Sequence, residues 1–188
     1  MVHNICYNVH ILVNKGGRQA LICEIQKKAA ALAKKFNTTN AVVMAKKLGI
    51  NVKFMDIGTL KGLYTIIKRN RYIILNPALT PKMKNIVCAH ELGHDQLHRA
   101  LAKDRCLQEF LLYDMDSRPE YEANIFAANL LLKNEDILEY INTYHYNISQ
   151  IAQATGSDVN LIAIKITYLR KQGYSFTPQE SNTDFLKY

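Results

Sequence analysis

The chain has 188 residues, 48% of them hydrophobic, which suits one compact domain with a modest appendage and argues against global disorder. Its formal net charge of +8 permits contact with nucleic acid or an acidic partner, but without a long Lys/Arg block it reads first as a solubilising surface. No run approaches the roughly 18–20 apolar residues that cross a bilayer. Ile11-Leu12-Val13 has no basic region before it, so neither a membrane span nor a signal peptide is expected, and the cytoplasm is the default location.

Residues 1–20 form a lead-in without an assigned role, broken at Gly16-Gly17. From Leu21 to Phe36, apolar residues recur at helical spacing (Ile22, Ile25, Ala29, Leu32, Ala33), with lysines between them. A loop follows, and then a short helix over Ala41 to Leu48 that ends at Gly49. Strands are expected over Ile50 to Met55, Gly62 to Ile67 and Tyr72 to Leu75, with Arg69-Asn70-Arg71 as a hairpin turn. Together they predict a small antiparallel sheet of about three strands packed on helices, an α+β fold that is mostly helical.

Pro81 suits the first turn of the next helix, expected to run to about Ala100. Residues 101–118 read as irregular, with a short helix around Leu107 to Leu112. Pro119 opens a helix over Glu120 to Leu132, and Glu135 to Tyr140 forms a further turn or two. Ile148, Ile151 and Ala152 suggest a short helix, Thr155-Gly156-Ser157-Asp158 a turn, and Val159 to Leu169 another helix. That pair resembles a helix-turn-helix with Lys165, Arg170 and Lys171 adding positive charge; the competing reading is a helical cap on the core. The resulting division is a domain over 21–142, a C-terminal helical segment over 143–174 and a polar tail over 175–188. Cys6, Cys23, Cys88 and Cys106 show no C-x-x-C spacing and are expected to be free thiols.

Chemistry concentrates in Ala89-His90-Glu91-Leu92-Gly93-His94, which contains H-E-x-x-H. On a helix, His90 and His94 lie on one face and can share one metal ion, with zinc the usual choice for nitrogen and carboxylate ligands. Glu91 is then placed to take a proton from a water that the metal activates. A third ligand is needed. A metzincin continuation would put glycine and histidine where Leu97 and Ala100 stand, so a carboxylate from a later helix is the remaining route. Glu120 and Glu122 are the candidates. Glu120 shares a face with Ala123, Asn124 and Ala127, small residues that allow a close helix approach, and Asn124 could hydrogen-bond a ligand. Glu120 is therefore preferred, with Glu122 as the alternative.

The motif Ala89 to His94 with Leu97-His98, followed by Glu-x-Glu-Ala-Asn-x-Phe-Ala-x-x-Leu-Leu over Glu120 to Leu131, resembles the ImmA/IrrE family of metallopeptidases. Leu48-Gly49-Ile50, Lys61-Gly62 and the strand Tyr72 to Asn76 also fit, so the likeness covers about residues 22–132. Leu131-Leu132-Lys133-Asn134 departs from the Leu-Leu-Met-Pro ending of many relatives. The resemblance implies a gluzincin-like domain with one zinc ion per chain that makes a limited cut in a helix-turn-helix repressor of a phage, mobile element or stress response.

On that expectation His90, His94 and Glu120 hold zinc, and Glu91 is the general base and then the acid. The strand Tyr72 to Leu75 is a candidate edge for an extended substrate. His98, Tyr113 and Tyr121 are candidate oxyanion donors. Two other classes compete. One is a metal-holding module that sequesters a repressor without cutting it; the intact Glu91 argues against it. The other is a DNA-binding regulator that uses residues 147–172, for which no fourth ligand closes a structural zinc site.

Overall fold

A computed structural model describes residues 15–104, 107–109 and 117–176, with side-chain environments over 22–102 and 117–176. Eight helices and four strands follow in chain order among the described residues: α1 (Lys15–Phe36), α2 (Ala41–Lys47), β1 (Asn51–Phe54), β2 (Gly62–Ile67), β3 (Asn70–Leu75), α3 (Pro81–Leu97), α4 (Leu101–Asp104), β4 (Leu107–Glu109), α5 (Arg118–Leu131), α6 (Asn134–Asn142), α7 (Ile148–Ala154) and α8 (Val159–Lys171). The fold is α+β and mostly helical, as the sequence predicts.

Helix α5 is the axis of the helical part. α1, α3 and α8 all pack against it, and it is buried without a break from Glu122 to Leu130. A helix covered on several sides needs small and apolar residues all round rather than one stripe. Helix α3 begins at Thr80, whose side chain accepts from the Met83 N–H, with Pro81 in the first turn where its missing N–H costs nothing. α3 packs on α5, on α2 and on β2 and β3 of the sheet, and is buried from Ile86 to Asp95.

The sheet order is β1-β3-β2-β4 and the sheet is mixed, which corrects the all-antiparallel expectation. β2 and β3 form the expected hairpin, from Gly62 opposite Leu75 to Ile67 opposite Asn70. β1 runs parallel to β3, Asn51 opposite Tyr72 and Phe54 opposite Leu75. The crossover between β1 and β2 is held by Asn76, whose side-chain amide donates to the carbonyls of Gly58 and Leu60. The outer edge of β2 is taken by β4, with Gly62 opposite Glu109. So β3, flanked on both sides, is not an edge for a substrate; among the described residues the edges are β1 and β4.

Other boundaries also shift. The hairpin turn lies at Lys68 and Arg69, with φ of 48° and 67°, and Asn70 already belongs to β3. Two positive φ angles fit a tight two-residue hairpin, even though neither residue is the usual glycine or asparagine. α1 starts at Lys15 and runs through Gly16-Gly17, which sit in its first turn, where most backbone N–H groups lack helical partners anyway. Where a short helix was expected around Leu107 to Leu112, Leu107–Glu109 is a strand. Three residues carry no readable period, and their conformation follows from pairing with β2.

At the C-terminal end, a capping box between Asn147 and Gln150 starts α7, and Gly156, with φ of +59°, turns the chain toward α8. α8 packs on α7 and α5, burying Leu161, Ile162, Ile166 and Leu169. Lys165 is buried with them, only 1% exposed, so it adds no charge to the surface. No helix among the described residues is long and apolar enough to cross a membrane.

Candidate metal centre

The two histidines on α3 and a glutamate from the first turn of α5 converge. His90 Nε2 stands 3.0 Å from His94 Nε2 and 3.0 Å from Glu120 Oε2, and His94 Nε2 is 3.3 Å from the same oxygen. Zinc holds nitrogen and oxygen ligands at about 2.0–2.1 Å, which in a tetrahedron separates them by about 3.3 Å. The triangle therefore has the size and donor chemistry that a zinc ion requires, and the fit holds. Glu120 reaches the site because of where α5 begins. Ser117 caps the helix and accepts from the Glu120 N–H. A glutamate three residues after such a cap often folds back onto it; here its carboxylate turns to the histidines instead.

Electrostatics suit the same purpose. Burial pushes His94 down to about 4, against a partial lift from Glu120, so at neutral pH the ring is neutral, the form that can ligate a metal. Burial would raise the Glu120 carboxyl, but hydrogen bonds with His90 and His94 outweigh it and hold the acid well below the usual carboxylate range. Glu120 is therefore an anion.

The far side of each ring is also occupied. His90 Nδ1 is 2.9 Å from Asn124 Oδ1, one turn along α5 from Glu120. His94 Nδ1 is 3.1 Å from His98 Nδ1, and His98 Nε2 is 3.1 Å from Glu122 Oε2. The Arg118 Nε donates to the other Glu122 oxygen at 2.6 Å. Burial raises the Glu122 carboxyl, yet its bonds to His98 and Arg118 outweigh that and lower it. Glu122, the alternative third ligand, thus meets His98 and Arg118 rather than the triangle.

Glu91 is fully buried on the side of α3 that faces the start of β2. The strand comes this close because residue 62 is glycine: a methyl there would lie 2.5 Å from Val87 Cγ1 and 3.0 Å from Glu91 Oε1. On the opposite side Gly93 lets α3 reach α5.

Of the expected oxyanion donors, His98 is bonded through both ring nitrogens. The Tyr121 hydroxyl accepts from Lys171 Nζ at 3.1 Å, which draws it toward the end of α8. Tyr113 lies outside the described residues. Sequence reasoning missed Asp95. Its buried carboxylate accepts from the Tyr64 hydroxyl at 2.6 Å, from Arg71 at 2.9 Å and from Arg99 at 3.0 Å. Arg71 also donates to the Leu48 carbonyl, so this cluster fixes α3 against β2, β3 and the end of α2. The available signal was an aspartate directly after His94 in a buried run.

Two histidines one turn apart on a buried helix, with a carboxylate from a second helix, define the class of site that zinc peptidases use. Residues 45–167 match a peptidase family described as the IrrE N-terminal-like domain, and the chain belongs to that family. It is also similar to "Uncharacterized immunity region protein 2" of Bacillus phage phi105, with 36% identity over 135 residues, 71% of this chain and 84% of the phage protein. The resemblance that the paired motifs carry is thus a true family relationship.

Proposed function

We propose that the protein is a zinc-dependent endopeptidase that makes a limited cut in a partner protein, a helix-turn-helix repressor encoded near it. The observation that carries this reading is the convergence of His90, His94 and Glu120, with Glu91 next to them in the chain and buried. Family membership supports the peptidase activity, and the name of the phage relative, an immunity region protein, supports a repressor as partner.

Zinc at this triangle would supply Lewis-acid activation of a water and of the scissile carbonyl. His90 and His94 would present their Nε2 atoms to it, and Glu120 would bring the negative charge. Glu91 takes a proton from the attacking water as its oxygen bonds to the carbonyl carbon. It then delivers that proton to the amide nitrogen as the C–N bond breaks. The buried setting of Glu91 keeps bulk water away from this proton transfer.

The test is incubation of the protein with the helix-turn-helix regulator encoded beside its gene, with and without chelator. A discrete cleavage that chelator abolishes, and that Glu91→Gln reduces by about 10²–10⁴-fold, is expected. Cleavage that persists at full rate in Glu91→Gln would remove Glu91 from the mechanism. Tight binding of the regulator without any cleavage would favour sequestration instead.

A further inference from the structure

We propose that His98 and Glu122 are positioning residues that fix the ligand tautomer of His94 and lock it to the first turns of α5. The inference rests on the metal-site reading above and assigns these two residues a role outside the ligand set.

Proton placement leads to it. With a metal ion held at the triangle, His94 Nε2, which faces His90 Nε2 and Glu120 Oε2, offers its lone pair to the ion and the ring proton sits on Nδ1. Nδ1 points at His98 Nδ1, 3.1 Å away. His98 must therefore accept there and carry its own proton on Nε2. That N–H points at Glu122 Oε2, 3.1 Å away, and a carboxylate can only accept. Arg118, a permanent donor, holds the second carboxylate oxygen at 2.6 Å. Each link allows one proton arrangement, and the arrangements agree along the chain. His98 and Glu122 are both buried, 8% exposed each, so water competes little for these bonds.

His90 has a shorter version of the device, with Asn124 Oδ1 as acceptor. The longer route from His94 arises because its Nδ1 faces along its own helix toward the residue one turn on, rather than toward α5. His98 spans the gap. It meets the metal triangle only through the far side of the His94 ring, so it is not a ligand. Glu120 and Glu122 leave the same first turns of α5, one toward the ligand atoms and one toward the relay. A shift of α5 against α3 would disturb both.

The test measures zinc affinity by competition with a chromophoric chelator, on full-length protein, for wild type, His90→Ala, His98→Leu, His98→Asn, Glu122→Gln and the double variant His98→Leu/Glu122→Gln. The visible spectrum of the cobalt-substituted proteins reports ligand geometry, and metal-free thermal unfolding reports folding. His98→Leu should weaken zinc binding about 10–100-fold and alter the cobalt spectrum. His98→Asn, whose Oδ1 can accept where Nδ1 did, should recover most of the loss. Glu122→Gln should weaken binding less than His98→Leu and add nothing to it in the double variant, because both act through one ring.

Zinc affinity unchanged in His98→Leu would overturn the proposal, as would an asparagine no better than leucine, or full additivity in the double variant. If His98→Leu fails to fold, His98→Asn and Glu122→Gln decide it by the same comparison: a cobalt spectrum and affinity equal to wild type in both would sink it. If instead wild type binds zinc no better than His90→Ala, the metal reading itself falls, and the relay with it.

Discussion

Gly93 on α3 stands against the backbone of Ala123 on α5: a methyl group on Gly93 would lie 3.1 Å from the Ala123 Cα and 3.2 Å from its carbonyl oxygen. This crossing brings the helix that carries His90 and His94 to the helix that carries Glu120. Gly93→Ala gains helix propensity of about 1 kcal/mol but overpacks the contact at a cost of about 1–3 kcal/mol. The expected outcome is a small net loss of stability and a clear loss of zinc affinity, because separation of the helices opens the 3.0 Å contact of His90 with Glu120. Thermal unfolding of the metal-free protein and zinc titration separate the two effects. Zinc affinity equal to wild type would show that the crossing does not set the ligand spacing.

Gly62 plays a matching part on the sheet side. An added methyl would press on Val87 Cγ1 and on Glu91 Oε1. Val87 is buried and its β-branched side chain is restricted within α3, so Gly62→Ala should also lose stability, by about 1–3 kcal/mol from overpacking. Glu91 would be displaced, and a misplacement of about 1 Å in a reacting group costs about 10²-fold in rate. Peptidase activity should therefore fall by about that factor while zinc affinity stays near wild type. Val87→Ala in the same chain should restore part of the activity by freeing space. A Gly62→Ala enzyme of full activity would argue against a tight approach of β2 to Glu91.

Much of this site was legible in the sequence because it is built from local periodicities. The i, i+4 spacing of His90 and His94 and the small-residue face of α5 under Glu120 both follow from helix geometry alone. What escaped the sequence depends on tertiary pairing. β1 joins β3 in parallel although β2 follows it in the chain, because the hairpin presents β3 on that side. β4 is a strand only through β2. From sequence, His98 is a candidate oxyanion donor and Glu122 the alternative third ligand; that they meet each other depends on the crossing of α3 and α5, and so does the contact of Gly93 with Ala123. Lys165 read as surface charge because helical periodicity does not reveal that α5 covers this face of α8.

Asn124 offers a direct check on how His90 is oriented. Its Oδ1 is the acceptor for the Nδ1 side of the ring at 2.9 Å. Asn124→Leu removes that acceptor and leaves a buried N–H without it, so zinc affinity should fall about 10–100-fold. Asn124→Asp keeps an acceptor at the same place and should bind zinc far better than the leucine variant. Equal losses in the two variants would mean that packing, rather than the hydrogen bond, accounts for the effect.

Lys165 gives a pH-dependent signature away from the metal. Its ammonium lies inside the α5–α8 contact and donates to Asn129 Oδ1 at 2.7 Å. Burial lowers it to about 7, against a weaker lift from Glu135. In the unfolded chain the group keeps its ordinary value of 10.5. Between these values the unfolded state holds more protons than the folded one, so stability must rise with pH across that window. The slope is at most about 1.4 kcal/mol per pH unit. Below pH 7 both states are protonated and this contribution is flat. Urea unfolding of the metal-free protein from pH 6 to 10 should show the rise, and Lys165→Met should lose it. The variant also leaves Asn129 Oδ1 without this donor, a cost of about 1–3 kcal/mol that offsets the relief of burying no charge. A rise of the same slope in Lys165→Met would assign the pH dependence to other groups.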